Sequence, residues 1–262
     1  ADLDARLADW AEAERRAHTA RFYPNYWASF DLDTQERHAR FLRSLGDAPG
    51  LLEIDAHPDP ARDSTEITVY TPDHAGLFAG IAGAMAARGV DIVSARVTTT
   101  TDGMALQNLI VQAAGGGQVS GADTLAQLKR TIDEVLTGAR NPAQLIRQRR
   151  QPAGRTSVFT YAPRVLVDNA ASDTHTVVEV NGRDRRGFLY TVTRALTDLG
   201  VSITSARIAT YGERAVDVFY IRDLIGKKIT SESRIEKLRA TLLAALAEDS
   251  APGQQAPGAA AE

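Results

Sequence analysis

Apolar residues recur along this chain with two different periods, and the order in which these periods alternate predicts its secondary structure. Short runs rich in Val, Ile and Thr around residues 67 and 178 are typical of β-strands. From residues 77 and 188 onward the apolar positions lie three or four residues apart, which predicts helices that end at Gly89 and Gly200. In each half two β-rich runs follow, joined by turns at 102–103 and 212–213, and then a helix near 122–137 or 231–247. Each half therefore predicts strand, helix, strand, strand, helix.

The two halves are copies of one another. Asp73 aligns with Asp184 at an offset of 111 residues. The offset decreases to 110 after the turn, where Gln107 aligns with Asp217. The offset of 111 also relates residues of the first helix and second strand, namely Gly76/Gly187, Gly89/Gly200, Ile92/Ile203, Ser94/Ser205, Ala95/Ala206, Arg96/Arg207 and Thr99/Thr210. A one-residue change in length within a predicted hairpin is what a duplicated fold tolerates. We interpret the repeat as a duplicated domain.

The predicted fold class is α+β, with two ferredoxin-like βαββαβ domains in tandem. The run 164–168 predicts a fourth strand for the first repeat, and the second repeat has no equivalent after its last helix. The expected organisation is a helical segment, a linker, two domains and a disordered tail, at residues 1–46, 47–64, 65–170, 174–248 and 249–262.

The first 46 residues predict two helices separated by a break at Pro24, the second beginning at Asp33 with Glu36 in capping-box spacing. This segment contains seven of the sixteen aromatic residues: Trp10, Phe22, Tyr23, Tyr26, Trp27, Phe30 and Phe41. Two short helices cannot bury so many rings by themselves. We expect them to pack on the first repeat or on a domain that precedes this chain, which begins without an initiator Met.

Composition excludes several classes of function. A net charge of −3 with interspersed charges argues against an extended phosphate-binding surface, and the absence of cysteine excludes a thiolate metal site and a cysteine nucleophile. The five histidines form no metal-binding pair, so we expect no metal and no cofactor. No apolar run is long enough to span a bilayer or form a signal peptide, and the expected location is cytoplasmic.

The most plausible chemistry is the binding of a small zwitterion. In each repeat the turn after the first strand leads to a helix N-terminus, where unpaired main-chain amides favour a carboxylate. Asp73 or Asp184 can accept an ammonium group, and Gly76 or Gly187 permits close approach of the main chain. The same residues are equally consistent with ordinary turn and capping roles.

The repeated pattern of an Asp, a Gly, two apolar residues, a helix, Gly-Val, Ile and Ser-Ala-Arg resembles the ACT domain, a ferredoxin-like module that binds amino acids in many metabolic enzymes. With the upstream stretch FYPNYWASFDLDTQERHARFL, the chain resembles the C-terminal part of the bifunctional PII uridylyltransferase/uridylyl-removing enzymes. In ACT domains this loop faces the second strand of a neighbouring domain. The resemblance implies ligand-binding residues in both repeats: Asp73, His74, Ala75, Gly76, Leu77 and Ile92 in the first, and Asn181, Asp184, Arg186, Gly187, Phe188 and Ile203 in the second.

The resemblance further implies glutamine as the ligand, the PII protein as a partner of the full-length enzyme, and Mg²⁺ only in catalytic domains outside this chain. Binding would shift the enzyme from modifying PII towards demodifying it. The repeats would pair within the chain or in a homodimer. Alternatives are an ACT regulator of another metabolic enzyme and, because of its βαββαβ order, an RNA-binding RRM, although the third strands lack the basic-glycine-aromatic signature of that module. No catalytic motif occurs in the chain.

Overall fold

The computed structural model describes residues 3–46, 50–149, 162–211 and 214–248. The predicted turn at 212–213 and the predicted disordered tail at 249–262 lie outside these ranges. Within them, no helix is long and apolar enough to cross a membrane.

The N-terminal segment forms four short helices rather than the two predicted: α1 (Leu3–Arg6), α2 (Glu12–Ala20), α3 (Pro24–Ser29) and α4 (Leu32–Ser44). Pro24 begins α3 because its fixed φ suits the first helical turn, where an N–H would have no partner. The N-cap of α4 is Asp31, whose Oδ1 accepts a hydrogen bond from the Thr34 amide at 2.8 Å. The predicted start at Asp33 was therefore two residues late.

The remaining elements follow in two similar sets. The first set is β1 (Glu53–Asp59), β2 (Ser64–Pro72), α5 (Leu77–Arg88), β3 (Val90–Thr99), β4 (Met104–Ala113), α6 (Ala122–Leu136) and the short α7 (Pro142–Gln148). The second set is β5 (Arg164–Asp168), β6 (Thr176–Arg183), α8 (Phe188–Asp198), β7 (Val201–Tyr211), β8 (Arg214–Asp223) and α9 (Glu232–Glu248).

All eight of these strands form one antiparallel sheet in the order β1-β2-β4-β3-β7-β8-β6-β5. The apolar faces of α5, α6, α8 and α9 pack on one face of this sheet in a single core that runs through both repeats. The fold class is therefore α+β with two ferredoxin-like units, as predicted.

The outer strand of each repeat comes before the repeat, not after it, so it was wrong to assign 164–168 to the first repeat and to expect no fourth strand in the second. The predicted linker contains β1, which pairs with β2, and the run 164–168 is β5, which pairs with β6 of the second repeat. The offset of 111 extends to both: Glu53 pairs with Tyr70, and Arg164 pairs with Asn181. Pro58 lies within β1. An edge strand tolerates a proline because the N–H positions on the outer side of the strand need no hydrogen-bond partner.

The two repeats meet side by side through their second strands. Strands β3 and β7 pair antiparallel over three residues each, and Ala95 pairs with Ala206, its own equivalent in the other repeat. A pseudo-twofold axis therefore passes between these two alanines, and the repeats pair within the chain. Helices α5 and α8 also contact each other across this axis.

The N-terminal helices cover the opposite face of the first repeat. Phe22, Tyr26 and Phe30 pack with Tyr70 and Leu106, which project from β2 and β4 away from the main core. The predicted packing of the aromatic segment on the first repeat is thereby confirmed.

A buried polar contact fixes this packing. His38 lies 3.0 Å from the Tyr26 hydroxyl through Nδ1 and 3.2 Å from Asn108 Nδ2 through Nε2. Burial lowers the pKa of His38 to about 3. The imidazole is therefore neutral at physiological pH and joins α4 to β4.

Candidate functional site

The turn that leads into the first helix of each repeat has the same conformation in both. Gly76 has φ 81° and ψ 0°, and Gly187 has φ 82° and ψ 2°, so both lie in the left-handed region that disfavours other residues. A Cβ at Gly76 would lie 3.2 Å from Thr197 Cγ2, and one at Gly187 would lie 3.2 Å from Ile146 Cγ2. The glycines thus bring the main chain close to neighbouring elements. Their positive φ is a second reason for glycine at these positions, and the sequence pattern did not indicate it.

A cavity of about 670 Å³ lies beside the first of these turns and is called cavity one here. It is lined by the whole predicted loop of the first repeat, Asp73, His74, Ala75, Gly76 and Leu77. Its other wall is the start of β7, including Ile203. The Asp73 carboxylate accepts a hydrogen bond of 2.6 Å from Thr99 Oγ1 at one edge.

A cavity of about 590 Å³ lies beside the second turn and is called cavity two here. Four residues predicted in the second loop line it: Asp184, Arg186, Gly187 and Phe188. Its opposite wall is the start of β3, including Ile92. Both isoleucines were expected on strands that face a loop, and the pairing of β3 with β7 places each beside the loop of the other repeat.

Asn181 is the one predicted site residue that lies elsewhere. Side chains alternate along a strand, and Val180 faces the main core, so Asn181 faces the other side of the sheet. There its side-chain amide donates to Glu179 at 2.7 Å and accepts from Arg214 at 2.7 Å.

Both central strands bend at the same place beside the cavities. The register of β3 shifts between Ile92 and Ser94, and that of β7 shifts between Ile203 and Ser205. The intervening residues, Val93 and Thr204, line cavity two and cavity one respectively. Such bulges re-aim side chains next to binding sites.

Two buried polar side chains that the prediction of site residues omitted line these cavities. Asp217 on β8 lines cavity two, and Gln107 at the matching position on β4 lines cavity one. The two carboxylate oxygens of Asp217 have no hydrogen-bond partner among the described residues, and the same is true of Gln107 Oε1. The signal that could have found them is a single polar residue at a core-facing position in an apolar strand.

Three carboxyl groups that line cavity two have raised pKa values. Burial, aided by the nearby Asp184 charge, raises the pKa of Asp217 to about 8, and the main-chain amide of Ala209, whose geometry does not qualify as a hydrogen bond, offsets part of this increase. Burial also raises the pKa values of Asp91 and Asp184, and for Asp91 the Asp184 charge adds to the effect. Among the described residues no group of three His, Cys, Asp or Glu side chains could hold a metal ion.

The geometry does not fit a base-stacking platform. Phe219 on β8 is fully buried in the main core, whereas the adjacent Tyr220 faces the other side of the sheet. The two rings therefore cannot stack successive bases on one surface, which is the arrangement an RRM requires.

The fold and the position of the cavities define a tandem ACT-domain region. Residues 65–151 match the ACT domain family, and residues 164–249 match the family described as ACR9-like, ACT-like domain.

The chain is 49% identical over 253 residues to the bifunctional uridylyltransferase/uridylyl-removing enzyme of Azospirillum brasilense, an alignment that covers 96% of the chain and 27% of that enzyme. It is 48% identical to the enzyme of Rhodospirillum rubrum and 46% identical to that of Gluconobacter oxydans, over 94% and 86% of the chain and 26% and 24% of the enzymes. The chain belongs with the ACT-domain region of the bifunctional uridylyltransferase/uridylyl-removing enzymes, and it spans about a quarter of the length of these relatives.

Proposed function

We propose that this region is the amino-acid sensor of a uridylyltransferase/uridylyl-removing enzyme, that glutamine is its ligand, and that the enzyme acts on a PII signalling protein. The main observation in favour is that each cavity is built from both repeats. In each, the amides of a helix N-terminus face the bulged strand of the other repeat, which offers a carboxylate and an ammonium group separate partners.

A ligand in either cavity would bridge the weakest part of the sheet. Strands β3 and β7 share three paired residues each, whereas β2 and β4 share eight. A ligand that contacts both repeats favours the arrangement in which both contacts are made, and its binding is coupled to that arrangement. Coupling energies of this kind are about 1 to 3 kcal/mol, enough to change the balance between two opposing activities. In this proposal glutamine shifts the enzyme from modifying PII towards demodifying it.

The test is a calorimetric titration of this chain with glutamine, with two cavity variants. Gly76→Val and Gly187→Val should each abolish binding in their own cavity, because the added side chain meets Thr197 or Ile146 and the residue must keep a positive φ. Gly138→Val is the matched control, since Gly138 also has a positive φ, 75°, but has no atom near its Cβ position and lines neither cavity.

Glutamine binding that both cavity variants leave unchanged would remove the loops from the proposal. Binding of a different amino acid in place of glutamine would instead favour an ACT regulator of another metabolic enzyme. The effect on the activities of the full-length enzyme follows from assaying PII modification and demodification with the same variants.

A further inference from the structure

Asp217 occupies a position where the fold calls for an apolar side chain. Along β8 the side chains of Ala215, Phe219 and Ile221 face the main core, and Asp217 lies in the same row. The residue is 0% exposed, and its carboxylate has no hydrogen-bond partner among the described residues. A buried carboxyl group without a partner is costly, so this position is explained best by a partner that is not part of the chain.

The matching position in the first repeat carries a polar side chain of different charge. Gln107 is 1% exposed, and its Oε1 also lacks a partner among the described residues. A second difference lies on the central strands, where cavity two has Asp91 and cavity one has Ser202. The two cavities therefore differ in charge at these two positions, and cavity two has three carboxyl groups, Asp91, Asp184 and Asp217, where cavity one has Asp73 and Asp223.

We propose that Asp217 binds the positively charged amino group of the ligand in cavity two, and that cavity one lacks this charge selection because Gln107 takes its place. This proposal rests on the proposed function and specifies the orientation of the ligand. The ligand carboxylate would lie at the N-terminus of α8, where main-chain amides have no helical partner, and the amino group would lie at the Asp217 end.

Proton release should accompany this contact. With a pKa of about 8, the Asp217 carboxyl group is mostly protonated at pH 7 when cavity two is empty. A bound ammonium group favours the carboxylate, so binding releases the proton and affinity increases with pH, by up to about tenfold per pH unit below pH 8.

Several other charged groups face the same cavity and have to be separated from Asp217. These are Asp91 on β3 and Asp184, Arg185 and Arg186 in the turn before α8, while the charge of Arg149, beyond α7, acts on Asp91 without lining the cavity. The carboxyl groups of Asp91 and Asp184 also have raised pKa values and would titrate in the same direction. Replacement of Asp217 alone isolates its part of the pH dependence.

The experiment uses the Gly76→Val variant of this chain, in which cavity one is closed, with and without Asp217→Asn. Glutamine and its analogue without the amino group, 4-carbamoylbutanoate, are titrated calorimetrically between pH 6 and 8 in buffers of different ionisation enthalpy. We expect glutamine to bind with proton release and the analogue to bind about a hundredfold more weakly. Asp217→Asn should weaken glutamine binding by a similar factor and abolish most of its pH dependence.

Asp198→Asn is the matched control, because Asp198 is an exposed residue of α8 that pairs with Arg194 and does not line cavity two. Equal binding of glutamine and the analogue, or an Asp217→Asn variant with unchanged affinity and pH dependence, overturns the proposal for Asp217 but leaves amino-acid sensing intact. If glutamine does not bind, the common α-amino acids are compared with their des-amino analogues. Failure of all of them to bind cavity two overturns the proposal for Asp217, and their failure to bind the unsubstituted chain as well overturns the sensor proposal.

Discussion

Replacing Asp217 with Asn should change how the stability of the ligand-free protein depends on pH. The pKa of Asp217 is raised from 3.8 to about 8 in the folded state. Between these values the unfolded chain releases a proton that the folded chain retains, so the free energy of unfolding falls as pH rises from about 4 to 8.

The size of the effect follows from the shift. One pKa unit corresponds to about 1.4 kcal/mol, so at pH 7 the buried carboxyl group lowers the free energy of unfolding by an amount on the order of 4 kcal/mol. Asparagine has nearly the same shape and does not titrate, but its amide also lacks partners at this position. The gain from Asp217→Asn should therefore be small near pH 4, where the neutral carboxyl group lacks partners in the same way, and it should grow to about 4 kcal/mol at pH 7.

Urea denaturation of both proteins at pH 4 to 8 measures this difference. Both tryptophans lie in the N-terminal segment, Trp10 between α1 and α2 and Trp27 in α3, so tryptophan fluorescence reports on a part of the chain outside the second repeat. Far-ultraviolet circular dichroism, together with hydrogen exchange in β6 and β8, follows the second repeat directly. Stability curves that stay parallel across this pH range would refute the assignment of a raised pKa to Asp217.

Two further predictions concern other parts of the chain. Acid should destabilise the folded state of the N-terminal helices. Burial lowers the pKa values of His18 and His38 to about 4 and about 3, so the unfolded state binds protons before the folded state does as pH falls below 6.5. Tryptophan fluorescence should report this transition, and His38→Gln should shift it to lower pH, whereas an unchanged midpoint would contradict the prediction. Gly182→Ala should destabilise the second repeat by about 1 to 3 kcal/mol, because its Cβ would lie 2.6 Å from Phe188 Cε2. A melting temperature equal to that of the unsubstituted chain would contradict this prediction.

The helices and inner strands of the two repeats could be predicted from sequence because each carries a clear apolar period and the two copies support each other. The outer strands could not be assigned in this way. The run 53–59 contains Pro58 and several polar residues, which are typical of a linker but also acceptable on a sheet edge. The run 164–168 was assigned to the first repeat, although consecutive strands pair more often with their next neighbour in sequence, as β5 does with β6.

The two loops of the candidate site could be predicted from the repeat, whereas the strands that face them were implied only by the resemblance, which left open whether the repeats pair within the chain. The loops around Gly76 and Gly187 follow from the duplicated motif. The isoleucines reach the opposite loops only because β3 and β7 are neighbours in the sheet, which local sequence does not specify. Asn181 was included because the resemblance to ACT domains implied it, but strand alternation turns its side chain to the other face.

The cost of keeping Asp217 buried bears on how ligand binding and stability are linked. A loss on the order of 4 kcal/mol is a large fraction of the 5 to 15 kcal/mol that stabilises a typical domain. An apolar residue at this position would remove that cost, as the apolar neighbours in the same row of β8 illustrate. In the proposed complex the cost is offset, because the ammonium group converts an unpartnered carboxyl group into a charge-assisted contact. The neutral Gln107 of the first repeat carries no comparable cost. The second repeat would therefore gain more stability from its ligand than the first, and the two cavities would respond to the same ligand over different concentration ranges.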